Sequence, residues 1–221
     1  MCRLLAYIGP RVSVQQLLYG QPYSLLRQSY APRKQRHGRV NADGWGVGWY
    51  DFRIRPEPAR YRTAQPMWAD ARFPEIAPLL TSELILAAVR DATPGAPVEE
   101  SGAPPFLSGR FLFAHNGVID GFRDGLGIEL RRSLPTEREG QIIGTSDSEV
   151  VFALLLDRID KGREPIEALV DVIHELDQLT TGRFNFVLTD GHEVLATTAG
   201  DSLYVLDGHS VTTTAVSYTH L

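Results

Sequence analysis

An α+β fold, with antiparallel sheets covered by helices, is the fold class this sequence predicts. Three observations carry that prediction. Strand-like apolar runs fill the first half of the chain and return after Gly182. Two segments between them repeat apolar residues at helical spacing, and two Asp-Gly pairs flanked by apolar runs mark hairpins near the end.

Taken in order, Cys2 to Gly9 reads as a short buried strand closed by Pro10, and Val12 to Tyr19 as a short helix. Ser29 to Gly38 gathers Arg33, Lys34, Arg36 and His37 around Pro32 and is expected to be an exposed loop. Gly44 to Tyr50 and Arg60 to Gln65 have strand composition, Phe73 to Thr81 suggests a short helix, and Glu83 to Arg90 a central strand. Asp91 to Gly109 is broken by Pro94, Pro97, Pro104 and Pro105, which makes it the longest predicted loop, and loops of that length usually serve a function. Phe111 to His115 is the next strand and Phe122 to Leu134 a helical stretch. Val150, Val151, Leu154, Leu155 and Ile159 form one apolar stripe, and Ile166, Leu169, Val170, Ile173, Leu176 and Leu179 a second, so two long helices should lie side by side. Strands then follow in pairs, Arg183 to Thr189 with Val194 to Thr198 around Asp190-Gly191, and Ser202 to Leu206 with Ser210 to Ala215 around Asp207-Gly208.

Composition excludes several function classes. The chain has 221 residues, 22 basic and 27 acidic, and the resulting charge of −5 argues against a nucleic-acid partner or an anionic membrane. Its longest apolar run, Val150 to Leu156, falls far short of the roughly 20 residues that span a bilayer. Arg11, Gln15 and Gln16 interrupt any secretory pattern, so a cytoplasmic location is expected. Cys2 is the only cysteine, which allows no internal disulfide, and the histidines are scattered without ligand spacing, so no metal is expected. Neither repeat nor linker interrupts the chain: residues 2–215 are expected to form one domain. Residues 216–221 stop without a polar tail and read as a truncated or non-native end.

Chemistry begins at Cys2. Once Met1 is trimmed, the thiol and a free α-amino group share one carbon, and an amine of ordinary pKa near 8 can take the thiol proton directly or through water. A lone cysteine is otherwise most often a small buried residue. Asn116-Gly117 follows an apolar strand, where the Asn amide and the Gly N–H can both face a developing oxyanion; the same dipeptide is also the favoured hairpin turn. Arg90 ends a strand and can hold a carboxylate bidentately or form a rim pair with Asp91. Ser146-Asp147-Ser148-Glu149 fits a helix capping box, and Asp147 there can equally hold a substrate ammonium. Asn41 to Tyr50 interleaves glycines with aromatics. Without a following helix this is no dinucleotide fingerprint; such glycines let backbone or substrate approach a sheet.

Met1-Cys2-Arg3-Leu4-Leu5, Asn41 to Tyr50, Arg90 to Gly95, His115-Asn116-Gly117 and Ser146 to Glu149, in that order, resemble the class II glutamine amidotransferase domain of the N-terminal nucleophile hydrolases. Within that superfamily the pattern looks most like the γ-glutamyl amidohydrolases of ergothioneine biosynthesis, which remove glutamate from γ-glutamyl-hercynylcysteine sulfoxide. The resemblance implies a four-layer α/β/β/α sandwich of two antiparallel sheets, Cys2 as nucleophile, and Asn116 with the Gly117 amide as oxyanion hole. It implies Arg90 on the glutamyl α-carboxylate and Asp147 on its α-ammonium, with Thr93, Asp43 and His115 beside them, and no cofactor. Glutamine-dependent relatives carry an aromatic residue after this arginine and a histidine before the glycine, where this chain has Asp91 and Pro94, which points away from glutamine itself. A glutaminase subunit feeding ammonia to a partner synthase, or a non-catalytic sensor of glutamyl compounds, are the alternatives; a homodimer fits either enzyme. Trp45, Trp49 and Trp68 fall close together, and because a hercynyl group carries a trimethylammonium, Trp45 is expected to line a leaving-group pocket.

Overall fold

The computed structural model describes residues 2–33, 38–206 and, by their backbone, 215–219. The chain opens with β1 (Arg3–Ser13), α1 (Val14–Leu18), α2 (Leu25–Tyr30), β2 (Trp45–Trp49), β3 (Ala59–Thr63), α3 (Phe73–Ile76) and β4 (Thr81–Val89). It continues with β5 (Phe106–Ser108), β6 (Phe111–Ile119), α4 (Leu126–Arg132), α5 (Thr136–Glu139), α6 (Asp147–Asp160) and α7 (Pro165–Leu179). The last elements are β7 (Gly182–Thr189), β8 (Val194–Ala196), β9 (Leu203–Val205) and β10 (Ala215–Thr219). Every pairing is antiparallel. One sheet runs β3-β2-β4-β1-β10-β9 and the other β5-β6-β7-β8.

Strand alternation sorts the apolar side chains into three interfaces. Leu5 and Tyr7 of β1, Trp45 and Val47 of β2, and Ile85, Ala87 and Val89 of β4 pack outward against α1, Leu25 and Phe73. The residues between them, Leu4, Ala6, Leu84, Leu86 and Ala88, turn inward and meet Leu112, Ala114 and Val187 of the second sheet. Phe113, Phe186 and Leu188 then cover the far face under α6 and α7. The result is the expected four-layer α/β/β/α sandwich. The inner face of β2 is glycine alone: a Cβ on Gly46 would meet the Pro104 carbonyl oxygen at 2.5 Å, and one on Gly48 would meet Leu112 Cδ1 at 2.5 Å. The glycine-aromatic run therefore puts large rings on one face and nothing on the other, so the two sheets can close.

Several boundaries differ from expectation, each for a local reason. β1 continues past Pro10 because its register with β4 shifts between Ile8 and Val12, and a proline, lacking an N–H, is tolerated at such an irregularity. α2, six residues capped by the Ser24 hydroxyl, is too short to show a period and was not anticipated. The helix expected over Phe73 to Thr81 stops at Ile76, and Thr81 already pairs with Ser13. The long proline-rich loop ends in β5, whose three residues pair with β6. α6 and α7 form adjacent, as their stripes require. β7 and β8 pair across a left-handed Gly191 (φ 96°), and β9 pairs with β10. The turn expected at Asp207-Gly208 and most of the strand expected from Ser210 lie outside the described residues. Among the described residues, no helix is long and apolar enough to cross a membrane.

Candidate active site

Register and alternation bring the chemistry-bearing residues to one end of the space between the sheets. Arg3 pairs with Val89, so the next step of the ladder sets Cys2 opposite Arg90. Cys2 shares the inward parity of Leu4 and Ala6, Arg90 that of Leu86 and Ala88, and Asn116 that of Leu112 and Ala114. A cleft of about 360 Å³ opens there, and Cys2, Arg90, Thr93, His115, Gly117 and Asp147 all line it. Asn116 lies between two of these residues, fully buried, and among the described residues neither its Nδ2 nor its Oδ1 has a hydrogen-bond partner. The Asn-Gly pair is not a hairpin turn: β6 runs through it, with Asn116 opposite Asn185 and Gly117 opposite Phe184. Any side chain at 117 would put Cβ 1.8 Å from the Arg183 carbonyl oxygen, so only glycine fits.

Hydrogen bonds fix the surroundings. His115 Nε2 lies 2.9 Å from the Arg183 carbonyl oxygen, which can only accept, so Nε2 carries a proton, and Nδ1 lies 3.1 Å from the Ser148 hydroxyl oxygen. The buried imidazole thereby ties β6 and β7 to the first turn of α6. Asp147 opens that helix. Its Oδ1 accepts the Ser148 N–H at 2.7 Å and faces the Ser146 and Ser148 hydroxyls, and no cation pairs with it among the described residues. The capping box forms differently from its sequence reading. Ser146 Oγ accepts the Ser148 N–H, while Glu149 takes the N–H groups of Ile143 and Gly144 at 2.9 and 2.7 Å instead of the cap's own.

Arg90 is buried, and among the described residues its guanidinium meets only carbonyl oxygens, Asp43 O at 3.4 Å and Pro97 O at 3.1 Å. The rim pair with Asp91 is not formed. Two opposite charges, Arg90 and Asp147, thus face one cleft, each without a counter-ion of its own among the described residues. Burial pushes the Cys2 thiol up from its ordinary value; the Asp91 backbone N–H and Arg90 oppose that shift. A thiol held this way needs a base to act as a nucleophile. Among the described residues no group of three or more His, Cys, Asp or Glu side chains could hold a metal ion.

Comparison with known proteins places this geometry. The model of the family described as "Glutamine amidotransferases class-II" matches residues 21–216. The chain belongs to the class II glutamine amidotransferases. It is 41% identical over 207 residues to the gamma-glutamyl-hercynylcysteine sulfoxide hydrolase of Mycobacterium tuberculosis (strain CDC 1551 / Oshkosh), covering 93% of this chain and 80% of the relative. The hydrolase of the same name from Mycolicibacterium smegmatis is 41% identical over 206 residues, covering 93% and 82%. Among solved structures, a glutamine aminotransferase class-II domain protein from Silicibacter pomeroyi superimposes with a TM-score of 0.74 at 26% identity, over 100% of this chain and 91% of that one. This class II amidotransferase is an amide-hydrolysing enzyme.

Two expected site residues take other places in the amidotransferase. Trp45 does not line the cleft: it is fully buried on the outer face of its sheet, its ring 4.9 Å from Phe73 and 5.4 Å from Tyr61. The alternation that pairs it with Trp49 points both into the outer layer, so the Trp45 leaving-group expectation is corrected. Asp43 acts from behind the cleft, its Oδ2 accepting the Ala92 N–H at 2.8 Å and its own N–H donating to Arg90 O at 3.0 Å. Sequence reasoning missed the wall formed by Val118 to Asp124. It continues β6 directly beyond Gly117, and the cluster of charges after Ile119 was its one legible sign. The opposite wall, the long proline-rich loop, is pinned from behind by arginines on carbonyl oxygens. Besides the Arg90 bond, Arg62 Nη1 donates to Ser101 O and Arg60 Nη1 to Pro105 O, both at 3.2 Å.

Proposed function

We propose that this chain hydrolyses a γ-glutamyl amide through Cys2 as an N-terminal nucleophile, and that its substrate is γ-glutamyl-hercynylcysteine sulfoxide, the compound in the names of its mycobacterial relatives. The observation that carries the reading is Asn116. A buried amide without a partner costs about 1–3 kcal/mol, a cost natural structures concentrate at working sites, and this one adjoins a cleft that also holds a cysteine and two unneutralised charges. Arg90 takes the α-carboxylate of the glutamyl group and Asp147 its α-ammonium, with Thr93 on the same wall.

With Met1 removed, the α-amine of Cys2 accepts the thiol proton and the thiolate attacks the γ-carbonyl carbon. Asn116 Nδ2 and the Gly117 N–H hold the resulting oxyanion. The protonated amine returns its proton to the leaving nitrogen, the C–N bond breaks, and a γ-glutamyl thioester remains on Cys2. Water, deprotonated by the same amine, then hydrolyses the thioester, releasing glutamate and restoring the thiol. Asp43 and His115 position the walls and touch no reacting atom. The reaction needs no cofactor, and we place it in the cytoplasm, in one catalytic domain that extends past the expected end at residue 215 to include β10, which pairs with β1.

Incubating the purified protein with γ-glutamyl-hercynylcysteine sulfoxide, γ-glutamylcysteine and glutamine, and measuring released glutamate, tests the proposal. The first should be cleaved best, by a protein whose intact mass lacks Met1. Turnover of glutamine alone, rising with an added synthase, would favour a glutaminase subunit instead.

A further inference from the structure

Arg90, Thr93 and Asp147 grip the glutamyl end in the proposed reaction, which leaves the wall from Val118 to Asp124 facing the other side of the scissile bond. That wall is built rather than loose. At its base the Asp120 N–H donates to Thr181 O at 3.1 Å, the Thr181 hydroxyl donates to Asp120 Oδ2 at 2.7 Å, and the Thr180 hydroxyl donates to Asp120 O at 2.8 Å. Gly121 (φ 69°) and Gly125 (φ 130°) bracket Phe122–Asp124 as one tight turn. Both glycines adopt conformations that side chains resist, so the turn presents three consecutive residues to the cleft in a fixed order. Phe122 anchors it against the core beneath α6, while Arg123 and Asp124 line the cleft exposed and, among the described residues, without side-chain partners.

In any γ-glutamyl amide of an α-amino acid, the carbon bonded to the scissile nitrogen bears a carboxylate, which glutamine lacks. A cation beside the leaving nitrogen distinguishes the two. We propose that the Phe122–Asp124 turn is the leaving-group subsite, in which Arg123 pairs with the carboxylate next to the scissile nitrogen and Asp124 faces the cationic end of a larger leaving group. The inference rests on the hydrolase reading above and adds to it a selectivity for amino-acid leaving groups over ammonia.

The test is a ratio, kcat/KM for γ-glutamylcysteine over kcat/KM for glutamine, measured for the wild type, Arg123→Gln and Arg123→Glu. Losing one charge-assisted contact should lower the ratio about tenfold in Arg123→Gln, and charge reversal should lower it further. Asp124→Asn should leave that ratio within about twofold but lower the preference for γ-glutamyl-hercynylcysteine sulfoxide over γ-glutamylcysteine, because only the former carries the trimethylammonium. An unchanged ratio in both Arg123 variants, with a wild type that releases glutamate, overturns the subsite alone. A wild type that releases glutamate from none of the three compounds overturns the hydrolase reading and the subsite with it.

Discussion

At the scale of single residues, the buried Asn116 amide and the His115 imidazole show how polar groups divide between structure and chemistry. His115 satisfies both ring nitrogens within the protein, which fixes its orientation and makes it a brace between β6, β7 and α6. Asn116, one position along the same strand, satisfies neither end of its amide among the described residues. Replacing Asn116 by Ala should therefore lower kcat by roughly 10²–10³-fold, the usual effect of removing one oxyanion donor, and should leave the melting temperature unchanged or raised, since no protein partner is lost. Thermal unfolding beside steady-state kinetics decides this. A variant that melts earlier with kcat intact would make Asn116 a packing residue. Cys2, Arg90 and Asn116 each had an ordinary reading in the sequence and were singled out by the resemblance; what the sequence could not show is the strand register that brings them to one end of the sheets. Trp45 was misplaced because alternation tells that two rings share a face but not which face is inside.

At the scale of elements, β2 is the informative case. Its glycines read as letting backbone or substrate approach the sheet, and the structure gives the reason: the inner face must be flat, which leaves Trp45 and Trp49 to the outer layer. Gly46→Ala should destabilise by about 3 kcal/mol and Gly48→Ala by about 1 kcal/mol. The first Cβ meets fixed backbone oxygens at 2.5 and 2.7 Å, whereas the second meets the movable end of Leu112. Chemical denaturation of the two variants measures the order, and equal losses would mean that the sheets separate as rigid bodies. α6 and α7 were legible from their stripes, which span several turns. α2 and β5, six and three residues long, hold their shape through a cap and a neighbouring strand, and no local period reports either.

Across the whole molecule, burial of neutral acids sets the alkaline limit of stability. Tyr61 donates to Asp70 Oδ2 at 2.5 Å, and burial with that bond raises its pKa to about 12; burial likewise pushes Cys2, Tyr19 and Tyr50 up. Each group ionises more readily in the unfolded chain than in the folded one. Its contribution is complete below the unfolded value, near 9 for Cys2 and 10 for the tyrosines, and is lost as pH rises toward the folded value. The melting temperature should therefore begin to fall above about pH 9, and Tyr61→Phe should fall less steeply than wild type between about pH 10 and 12. Parallel curves for the two proteins would remove Tyr61 from the account. The four-layer arrangement itself was legible only through the order of the motifs, because alternation alone does not say which strands become neighbours.

The arginine bonds behind the long cleft wall have a further consequence, for how such a protein changes over generations. Arg60, Arg62 and Arg90 hold that wall by carbonyl oxygens, and every residue type supplies a carbonyl. The anchors are thus blind to the loop's side chains. Exposed residues of that loop can be exchanged without loosening the wall, so long as the three arginines stay in place; Gly102 is an exception, since a Cβ there would meet the Arg90 guanidinium at 3.0 Å. Substrate preference can drift there by single substitutions while the nucleophile and its oxyanion site remain where they are, which gives one scaffold room to acquire different γ-glutamyl substrates without first losing its fold.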